Sequence, residues 1–322
     1  MTAQSPNDQT YVGVELCAGS ARAALVSAGG EVVARRESAA PPEDPVVQVA
    51  RLVAELRDAS GAQVAAVGIG LPGLVSPATG RVIISSDLPS VMRGDLRAEL
   101  AKATGLPVTL ENDANAGAVG EYAAGAGRGS RDMFYVTIGS GIGGAIIIGG
   151  KLWRGASGFA GEFGHITIDP EGVVCVCGNV GCLETVASAP NIVRRTRERL
   201  MRDSTSSLSR LGLNKNFTAA DIAHEARGGD DFAALMIERT GRYIGTAIAT
   251  VVNLLNTERV VLGGGVMEAG QLILEPIIRE AQRRSFQPNF ESTQIVAATL
   301  GPDAVPIGAA LLARDAVINI AV

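Results

Sequence analysis

The sequence predicts an α/β protein built from two similar α/β units, and three observations support this. The chain has 322 residues, which is long enough for two domains. Hydrophobic residues make up 47% of it and charged residues 19%, as in globular proteins. A β-meander followed by alternating helices and strands occurs twice, which two copies of a ribonuclease-H-like unit would give.

The first copy follows a polar segment, residues 1–10, that we expect to be a disordered tail. Three short apolar runs predict the meander strands, and the Gly29-Gly30 pair predicts the turn between the second and third. Asp44 and Pro45 predict a helix start, because Asp is a good N-cap and Pro fits the first helical turn. The predicted strands are 11–17, 21–27, 31–36, 64–70 and 107–111, and the predicted helices begin at 45 and span 95–104 and 114–123.

The second copy repeats this order of elements. Its meander is predicted from two apolar runs and a third, shorter one near residues 166–168. A loop rich in Cys and Gly follows at residues 170–183 and precedes helices that alternate with buried strands. The predicted strands are 133–138, 144–148, 166–168, 260–262 and 294–298, and the predicted helices are 189–201, 218–226, 231–255, 271–284 and 306–313.

Composition and charge argue against several classes of protein. The formal net charge is −5 and no dense block of Lys or Arg occurs, so we expect no nucleic-acid partner. No apolar run reaches the about 18 residues that a membrane helix needs, because Gly, Pro or a charged residue interrupts each one. The N-terminal segment lacks the apolar core of a signal peptide. Because three of the four cysteines are crowded in one loop, not spread as a disulfide framework, we expect a cytoplasmic protein.

One histidine and three cysteines are close enough in sequence to bind one metal ion. They are His165, Cys175, Cys177 and Cys182. This set predicts a tetrahedral Cys₃His zinc site, and four protein ligands leave no open position, so the metal would be structural. The alternative is a core histidine with free buried thiols. Glu162 and Glu184 flank the ligands, so a loop folded on zinc would bring two carboxylates close together.

A second polar sequence stands where the predicted strand 107–111 leads into a helix. Polar side chains at the C-terminal end of a buried strand line the crevice where open α/β folds bind ligands. Asp113 can therefore accept a proton from a substrate hydroxyl, and Asn112 can bind a neighbouring hydroxyl. The alternative is that Asp113 only caps the helix that begins at Ala114.

Two glycine clusters are candidates for nucleotide binding. In the turn at residues 137–144, small residues allow backbone N–H groups to approach phosphate oxygens, and the Ser140 hydroxyl adds a donor. The alternative there is a plain hairpin turn. The second cluster, Gly263 to Gly265, follows the strand predicted at 260–262 and can pass under a nucleotide base or ribose.

Together these motifs resemble the ROK family (repressors, open reading frames and kinases), most closely its bacterial glucokinase branch. The resemblance runs from about residue 11 to 315, nearly the whole chain. Its most specific match is Gly164-His165 followed by the pattern C-x-C-G-x₂-G-C-x-E, here Cys175 to Glu184. Further matches are residues 68–73, 111–115, 138–144, 154–158, 161–162 and 261–265.

The resemblance implies an actin-like ATPase fold with two α/β domains around a central cleft. The expected domains are residues 11–120, completed by a C-terminal helix at 305–322, and residues 121–304, which carry the zinc loop. The resemblance also implies an enzyme that uses ATP with Mg²⁺ to phosphorylate a sugar, at the 6-hydroxyl of glucose or a related hexose. Members of the family are commonly homodimers, so we expect a homodimer.

The resemblance assigns roles to individual residues as well. Asp113 would be the catalytic base, and His165 would both bind zinc and face the sugar. The sugar would lie against Gly73, Asn112, Asp113, Glu162, His165 and Glu184. The phosphates and Mg²⁺ would lie near Glu15, Ser140, Gly141, Gly143 and Gly144, and the adenosine near Gly264 and Gly265.

One segment departs from the family pattern. The first strand of family kinases ends in D-x-G-G-T-K or D-x-G-G-T-N, whereas residues 15–20 here read E-L-C-A-G-S. Side chains at Cys17 and Ala18 can obstruct the approach of phosphate, although Glu15 can still orient Mg²⁺ through water. One open alternative is therefore a catalytically weak or inactive sugar sensor of the ROK type. Another is a kinase for N-acetylmannosamine or N-acetylglucosamine, because such relatives share the same polar residues.

Overall fold

The structure is a computed structural model that describes residues 9–38, 44–61, 63–76, 79–85, 88–92, 94–201, 206–211 and 217–320. Most of the tail that we predicted at residues 1–10 lies outside the described residues. Thr10, within that predicted tail, already begins the first strand. Its hydroxyl and its N–H both donate to the carbonyl of Gln63, at 3.0 and 3.4 Å, which explains the early start of the strand.

Twelve strands and ten α-helices are formed by the described residues. The strands are β1 (Thr10–Leu16), β2 (Ala21–Ser27), β3 (Val32–Ser38), β4 (Val64–Leu71), β5 (Leu74–Val75), β6 (Val82–Ile84), β7 (Val108–Asn112), β8 (Met133–Ile138), β9 (Ile142–Ile148), β10 (Lys151–Trp153), β11 (Arg259–Gly263) and β12 (Gln294–Ala297). The helices are α1 (Pro45–Ser60), α2 (Leu96–Thr104), α3 (Asp113–Ala124), α4 (Glu184–Ala187), α5 (Ala189–Leu200), α6 (Ala219–Arg227), α7 (Asp231–Leu255), α8 (Gln271–Arg284), α9 (Gln287–Glu291) and α10 (Ala304–Ile320).

The first sheet has the strand order β3-β2-β1-β4-β7. Its first three strands form an antiparallel meander, and β4 and β7 add in parallel to β1. The predicted turn at Gly29-Gly30 is confirmed, and the Gly30 N–H donates to the carbonyl of Ser27 at 3.0 Å. Because β1, β4 and β7 are parallel, Glu15 and Glu111 stand in one row at the same end of the sheet, on either side of Gly70.

The second sheet has the order β10-β9-β8-β11-β12, and β11 runs parallel to both β8 and β12. This repeated arrangement confirms the predicted duplication of an α/β unit. The strand predicted at 166–168 is wrong, because only Thr167 pairs there, in an isolated bridge with Cys182. β10 takes its place in the meander: Gly149 and Gly150, with φ of 60° and 77°, turn the chain directly back onto β9.

The described residues form two compact units. One unit takes residues from 1–130, 145–161 and 299–322, and the other from 131–144 and 162–298. The domain limits that we predicted from the sequence, 11–120 with 305–322 and 121–304, stay a prediction. Within the described ranges, no helix has both the length and the apolar character needed to span a membrane.

Alternation along the strands builds a core on both faces of the first sheet, because successive side chains point to opposite sides. Tyr11 and its neighbours on that face pack with Ile307 and Leu311 of α10. Val12, on the opposite face, belongs to a second cluster that contains Leu52 of α1. Helices therefore cover both faces, as expected for a sheet with buried parallel strands.

Helix α3 is held at its C-terminal end by Glu121, whose side chain is fully buried. Its carboxylate accepts hydrogen bonds from the backbone N–H groups of Ala126 at 2.7 Å, Thr299 at 3.0 Å and Leu300 at 2.8 Å. Three such donors offset the cost of burying a charge. Because α3 begins at Asp113, these bonds help to fix the helix that carries the predicted base.

Candidate active site

The first group of predicted site residues lies where β7 leads into α3. Asn112 is the N-cap of α3, since its Oδ1 accepts the N–H of Asn115 at 3.1 Å. Asp113 is the first residue of the helix and is half-buried. Capping is thus the role of Asn112, and the alternative in which Asp113 only caps the helix is wrong.

Gly73, which the resemblance places beside the sugar, lies next to this corner. Its carbonyl accepts a hydrogen bond from the Asn112 Nδ2 at 3.0 Å. Its φ is +115°, and a Cβ added there would lie 2.1 Å from the carbonyl oxygen of Ile84. Only glycine fits this position, because the small hairpin formed by β5 and β6 folds back against it.

Sequence analysis missed two residues that hold the same corner. Glu111 precedes Asn112, and its side chain is only 8% exposed. Its Oε2 accepts hydrogen bonds from Arg154 Nε at 2.8 Å and Nη2 at 2.6 Å, and its Oε1 accepts one from Asn115 Nδ2 at 2.9 Å. Both residues belong to motifs that we had noted, but no sequence pattern indicated that they pair.

The predicted metal ligands come together in the second unit. One ligand atom from each of the four lies within 4.8 Å of all the others. The Sγ atoms of Cys177 and Cys182 are 3.7 Å apart, and the Cys175 Sγ is 3.6 Å from the His165 Nδ1. In a tetrahedral site with metal–sulfur bonds of about 2.3 Å, sulfurs are about 3.8 Å apart. The donor set and its spacing therefore fit one tetrahedral metal ion.

Hydrogen bonds within the loop fix these ligands. The Cys175 N–H donates to the carbonyl of Asn179 at 2.7 Å, which closes a tight turn around Cys177. Burial, together with the neighbouring thiols, raises the pKa of the Cys182 thiol to about 12. A bound divalent cation has the opposite effect, because it deprotonates a coordinating thiol.

Two carboxylates lie next to the ligand cluster, as predicted. The His165 Nε2, on the opposite side of the ring from Nδ1, is 3.9 Å from the Glu162 Oε2. About half of the Glu162 side chain is exposed (48%), yet its pKa is raised, first by burial of its carboxyl group. The charge of Glu184 raises this pKa further, while that of His165 opposes the shift. Glu162, His165 and Glu184 thus form one polar group.

The glycine turn between β8 and β9 contains the residues expected at the phosphates. Ser140 is exposed at the tip of the turn, and Gly141 follows it. Gly143 and Gly144 lie in β9 itself. The turn is closed by the Gly139 N–H, which donates to the carbonyl of Gly141 at 2.9 Å.

The same turn contacts the sugar-binding candidate Glu184. The Ile142 N–H donates to the Glu184 Oε2 at 2.8 Å, and the Ala189 N–H donates to the carbonyl of Gly139 at 2.8 Å. Helix α4, which begins at Glu184, therefore lies against the turn. The structure joins the predicted phosphate turn to one of the predicted sugar-binding carboxylates.

The second glycine cluster also approaches this turn. Gly264 has a φ of +88°, and a Cβ added there would lie 2.4 Å from the carbonyl oxygen of Ile138, the last residue of β8. Gly265 lines a pocket of about 100 Å³ beside it. The other walls of this pocket are mostly small apolar residues, among them Ala223 and Ala269. The lining also includes one arginine and one glutamate, so a small, mainly apolar group with polar edges suits it.

The turn between β1 and β2 contains the departure from the family pattern. The Glu15 Oε2 accepts a hydrogen bond from Arg22 Nη1 at 3.0 Å, and Arg22 Nε donates to Glu37 Oε1 at 3.1 Å. These three residues are direct cross-strand neighbours on β1, β2 and β3. The carboxylate that the family would place near Mg²⁺ is therefore already paired with a cation in this chain.

The predicted residues thus fall into two sets, each within one unit. Glu15, Gly73, Asn112 and Asp113 belong to the first unit, all near the C-terminal ends of the strands of the first sheet or the turns that follow them. The second unit holds the metal ligands, the two flanking carboxylates, the phosphate turn and the second glycine cluster.

Comparison with known proteins gives consistent results. The sequence matches the profile of the ROK family over residues 11–316. It is 35% identical over 324 residues to a glucokinase of Halalkalibacterium halodurans, covering 96% of each chain. The structure is similar to that of a ROK family glucokinase from Streptomyces griseus in complex with glucose and AMPPNP, with a TM-score of 0.84, 35% identity, and coverage of 95% of this chain and 99% of that one. It is also similar to a ROK family transcriptional regulator, a homolog of the E. coli Mlc protein, with a TM-score of 0.83, 31% identity, and coverage of 96% of this chain and 78% of that one.

Proposed function

Because this chain belongs to the ROK family, we propose that it is an ATP-dependent kinase that phosphorylates the 6-hydroxyl of glucose. Its fold is the actin-like ATPase fold of that family. The observation that carries the proposal is the likeness, over nearly the whole of both chains, to a glucokinase whose structure contains glucose and AMPPNP. The polar residues described above support the proposal, in the roles proposed below.

Asp113 is the proposed general base. It stands at the start of α3, at the end of a buried strand, where ligands bind in open α/β folds. Its carboxylate would accept the proton of the sugar hydroxyl while the hydroxyl oxygen attacks the terminal phosphorus of ATP and ADP leaves. In phosphoryl transfer, positioning and charge neutralisation lower the barrier most, so a modest base is sufficient.

Glu162, His165 and Glu184, with Asn112, are the proposed sugar-binding side chains. Carboxylates accept charge-assisted hydrogen bonds from hydroxyls, which would hold the sugar so that one hydroxyl faces the phosphate. The orientation of His165 supports a double role, because its Nδ1 faces the thiols and its Nε2 faces Glu162. A metal-bound imidazole keeps its other ring N–H for a second hydrogen bond.

The glycine turn and the second glycine cluster are the proposed nucleotide side. Exposed backbone N–H groups and the Ser140 hydroxyl would contact phosphate oxygens, and the pocket beside Gly265 would accept part of the adenosine. Gly264, close to the end of β8, would lie between them. Mg²⁺ bound with ATP supplies neutralisation of the developing phosphate charge. Glu15 is the residue that would face this ion.

We propose that the Cys₃His cluster binds one structural zinc ion. Thiolate and imidazole donors at tetrahedral spacing are the set that zinc prefers. The ion would order the segment between Glu162 and Glu184, and so hold both carboxylates in place. Elemental analysis of purified protein tests this, with one zinc per chain as the expected result and a metal-free, fully folded protein as the contrary one.

A panel assay tests the proposed activity and its substrate together. ADP release would be measured with Mg²⁺ and ATP over glucose, mannose, N-acetylglucosamine and N-acetylmannosamine. We expect glucose to give the highest kcat/KM. A clear preference for an N-acetylated sugar would move the assignment to that alternative within the same family.

A sugar sensor of low or no activity is the second candidate. The pairing of Glu15 with Arg22 favours it, because an ion-paired carboxylate is less available to a metal. The similarity to a transcriptional regulator of the same family agrees with it. Tight sugar binding, with no ADP formed from ATP in the presence of any sugar of the panel, would support this candidate against the kinase.

Three further expectations stay predictions: a homodimer, which the resemblance implies, a cytoplasmic location and the lack of a nucleic-acid partner. Light scattering on a size-exclusion column measures the first directly. A monomer at micromolar concentration would contradict it.

A further inference from the structure

The carboxylate of Glu111 joins two parts of the first unit. Its Oε2 is bound by the Arg154 guanidinium through two hydrogen bonds, of 2.8 and 2.6 Å. Its Oε1 accepts hydrogen bonds from Asn115 Nδ2 at 2.9 Å and from the N–H of Asn112 at 3.1 Å. One oxygen therefore holds Arg154, and the other holds the corner that carries Asn112 and Asp113.

Arg154 belongs to a short loop that follows β10. The Ala160 N–H donates to the carbonyl of Arg154 at 3.0 Å, so residues 154–160 form a closed loop. Along the chain, this loop leads through Gly161 to Glu162, a proposed sugar-binding residue. The Arg154 side chain is 31% exposed, whereas that of Glu111 is 8% exposed, so the carboxylate depends on this arginine for charge neutralisation.

The corner itself has a fixed set of hydrogen bonds. The Asn112 Oδ1 accepts a hydrogen bond from the N–H of Asn115, and its Nδ2 donates to the carbonyl of Gly73. The side chain of Asn115 is held in turn by Glu111. A change at Glu111 or Arg154 therefore reaches the orientation of Asn112 through bonds that are all present in the structure.

We propose that Glu111 and Arg154 are positioning residues for the sugar. On the basis of the proposed kinase function, Glu111 and Arg154 orient the Asn112-Asp113 corner and the 154–160 loop and do not contact the reacting atoms. The geometry supports this, because a planar guanidinium bound through two N–H groups fixes both the distance and the angle of its partner. Placement errors of about 1 Å can cost about 100-fold in rate, so loss of this pair would be costly to catalysis.

The main test replaces Arg154 by Met, which keeps much of the side-chain length and removes the charge. We expect Arg154→Met to lower kcat/KM for glucose by about 10- to 100-fold and to weaken glucose binding measured by calorimetry. The KM for ATP should stay within about twofold, because the proposed nucleotide contacts other than Glu15 lie in the other unit. Arg154→Lys should recover only part of the loss, since Lys cannot form the two-bonded fork.

A second ion pair of the same unit provides a matched control. Arg35 binds Asp303 through Nε and Nη2, at 2.9 and 2.7 Å, but it is far more exposed, at 61%. Arg35→Met removes a similar bidentate pair, and we expect it to leave glucose binding and kcat unchanged. Thermal unfolding of both variants would separate loss of stability from loss of positioning.

Several results would overturn the proposal. One is an Arg154→Met enzyme with wild-type glucose affinity and kcat per folded molecule, whatever its melting temperature. Another is an equal rise in the KM of glucose and of ATP, which would indicate a general disturbance. If Arg154→Met does not fold, Glu111→Gln keeps the shape of the side chain, and wild-type kinetics in that variant would overturn the proposal equally. Failure of the proposed kinase function gives a different result, because the wild-type protein would then form no ADP from ATP. Weaker glucose binding by the Arg154→Met variant would still support the positioning role in that case. A wild-type chain that neither phosphorylates nor binds any sugar would overturn both.

Discussion

A single added methyl group in the phosphate turn should weaken sugar binding. A Cβ at residue 141 would lie 2.7 Å from the Glu184 Oε2, the oxygen that accepts the N–H of Ile142 at 2.8 Å. Carbon and oxygen atoms do not approach so closely, so in Gly141→Ala the carboxylate must move by about half an ångström. Gly141 does not have a positive φ, so alanine causes no backbone strain there.

The size of the effect follows from the proposed hydrogen bond between a sugar hydroxyl and the Glu184 carboxylate, which the shift would misplace. A hydrogen bond to a charged group contributes about 1.5–3 kcal/mol, and the lower end applies to the half-buried Glu184. A loss of about 1.4 kcal/mol corresponds to a tenfold change in an equilibrium constant. We therefore expect Gly141→Ala to weaken glucose binding about tenfold. The same shift stretches the Ile142 N–H bond, so the free energy of unfolding should fall by no more than about 1.5 kcal/mol.

Calorimetric titration with glucose, without nucleotide, measures this affinity directly. Gly139→Ala is the matched control, because it lies in the same turn and no atom lies within 4 Å of the Cβ that it adds. We expect that control to bind glucose like the wild type. In a Glu184→Ala background, Gly141→Ala should have no further effect, since contacting residues are not additive. Equal glucose affinity in Gly141→Ala and the wild type would refute this reasoning.

Three other predictions concern stability and the metal. Glu121→Gln should lower the free energy of unfolding by about 3 kcal/mol, because an amide cannot accept all the N–H groups that face this carboxylate; a urea midpoint within error of the wild type would contradict it. Hydrogen bonds, the strongest from Arg283 and the next from Arg284, lower the pKa of Glu280 from 4.5 to about 2. The ionised Glu280 therefore stabilises the fold above pH 4.5, and this contribution is lost as the pH falls toward 2. Because both arginines are about half exposed, we expect Glu280→Gln to cost about 1–2 kcal/mol at pH 7 and nothing near pH 2, and a cost independent of pH would argue against this pairing. Removal of the metal with a chelator should weaken glucose binding at least about tenfold, and unchanged binding by metal-free protein would show that the loop is ordered without it.

The parts of the site that are local in sequence could be predicted well. All four metal ligands lie within one short segment, so their spacing alone indicated one site, and the structure brings the four ligand atoms together. The Gly29-Gly30 turn was predictable for the same reason, because its residues determine the turn directly. Neighbouring residues determine such features, so they can be predicted from the sequence.

Features that depend on a choice between distant partners were not predictable. Glu111 and Arg154 are 43 residues apart, and many acids and arginines could have paired with either of them. The third meander strand was placed at 166–168 instead of β10, because Ile166 and Ile168 have high β-propensity whereas β10 has only three residues, and only the pairing with β9 shows which segment forms the strand. Asn112 and Asp113 are both good N-caps, and only the backbone geometry shows that Asn112 takes that role.

The departure from the family pattern at residues 15–20 shows a further limit. The sequence showed that Glu15 replaces the aspartate of the family pattern, but it did not show that Arg22 and Glu37 would line up beside it. Cross-strand register creates this row of charges, and register is set by the whole sheet. The pairing is therefore a property of the fold, and it bears directly on how well the chain can use Mg²⁺ and ATP.

Rapid-quench measurement of a single turnover tests the central claim most directly. Wild-type protein and Asp113→Asn would be mixed with glucose, Mg²⁺ and ATP, and glucose binding would be measured on the same samples. The account predicts that Asp113→Asn binds glucose nearly as well as the wild type but transfers the phosphoryl group about 100- to 10,000-fold more slowly. Transfer by Asp113→Asn at the wild-type rate would contradict the assignment of the base, and with it the proposed site.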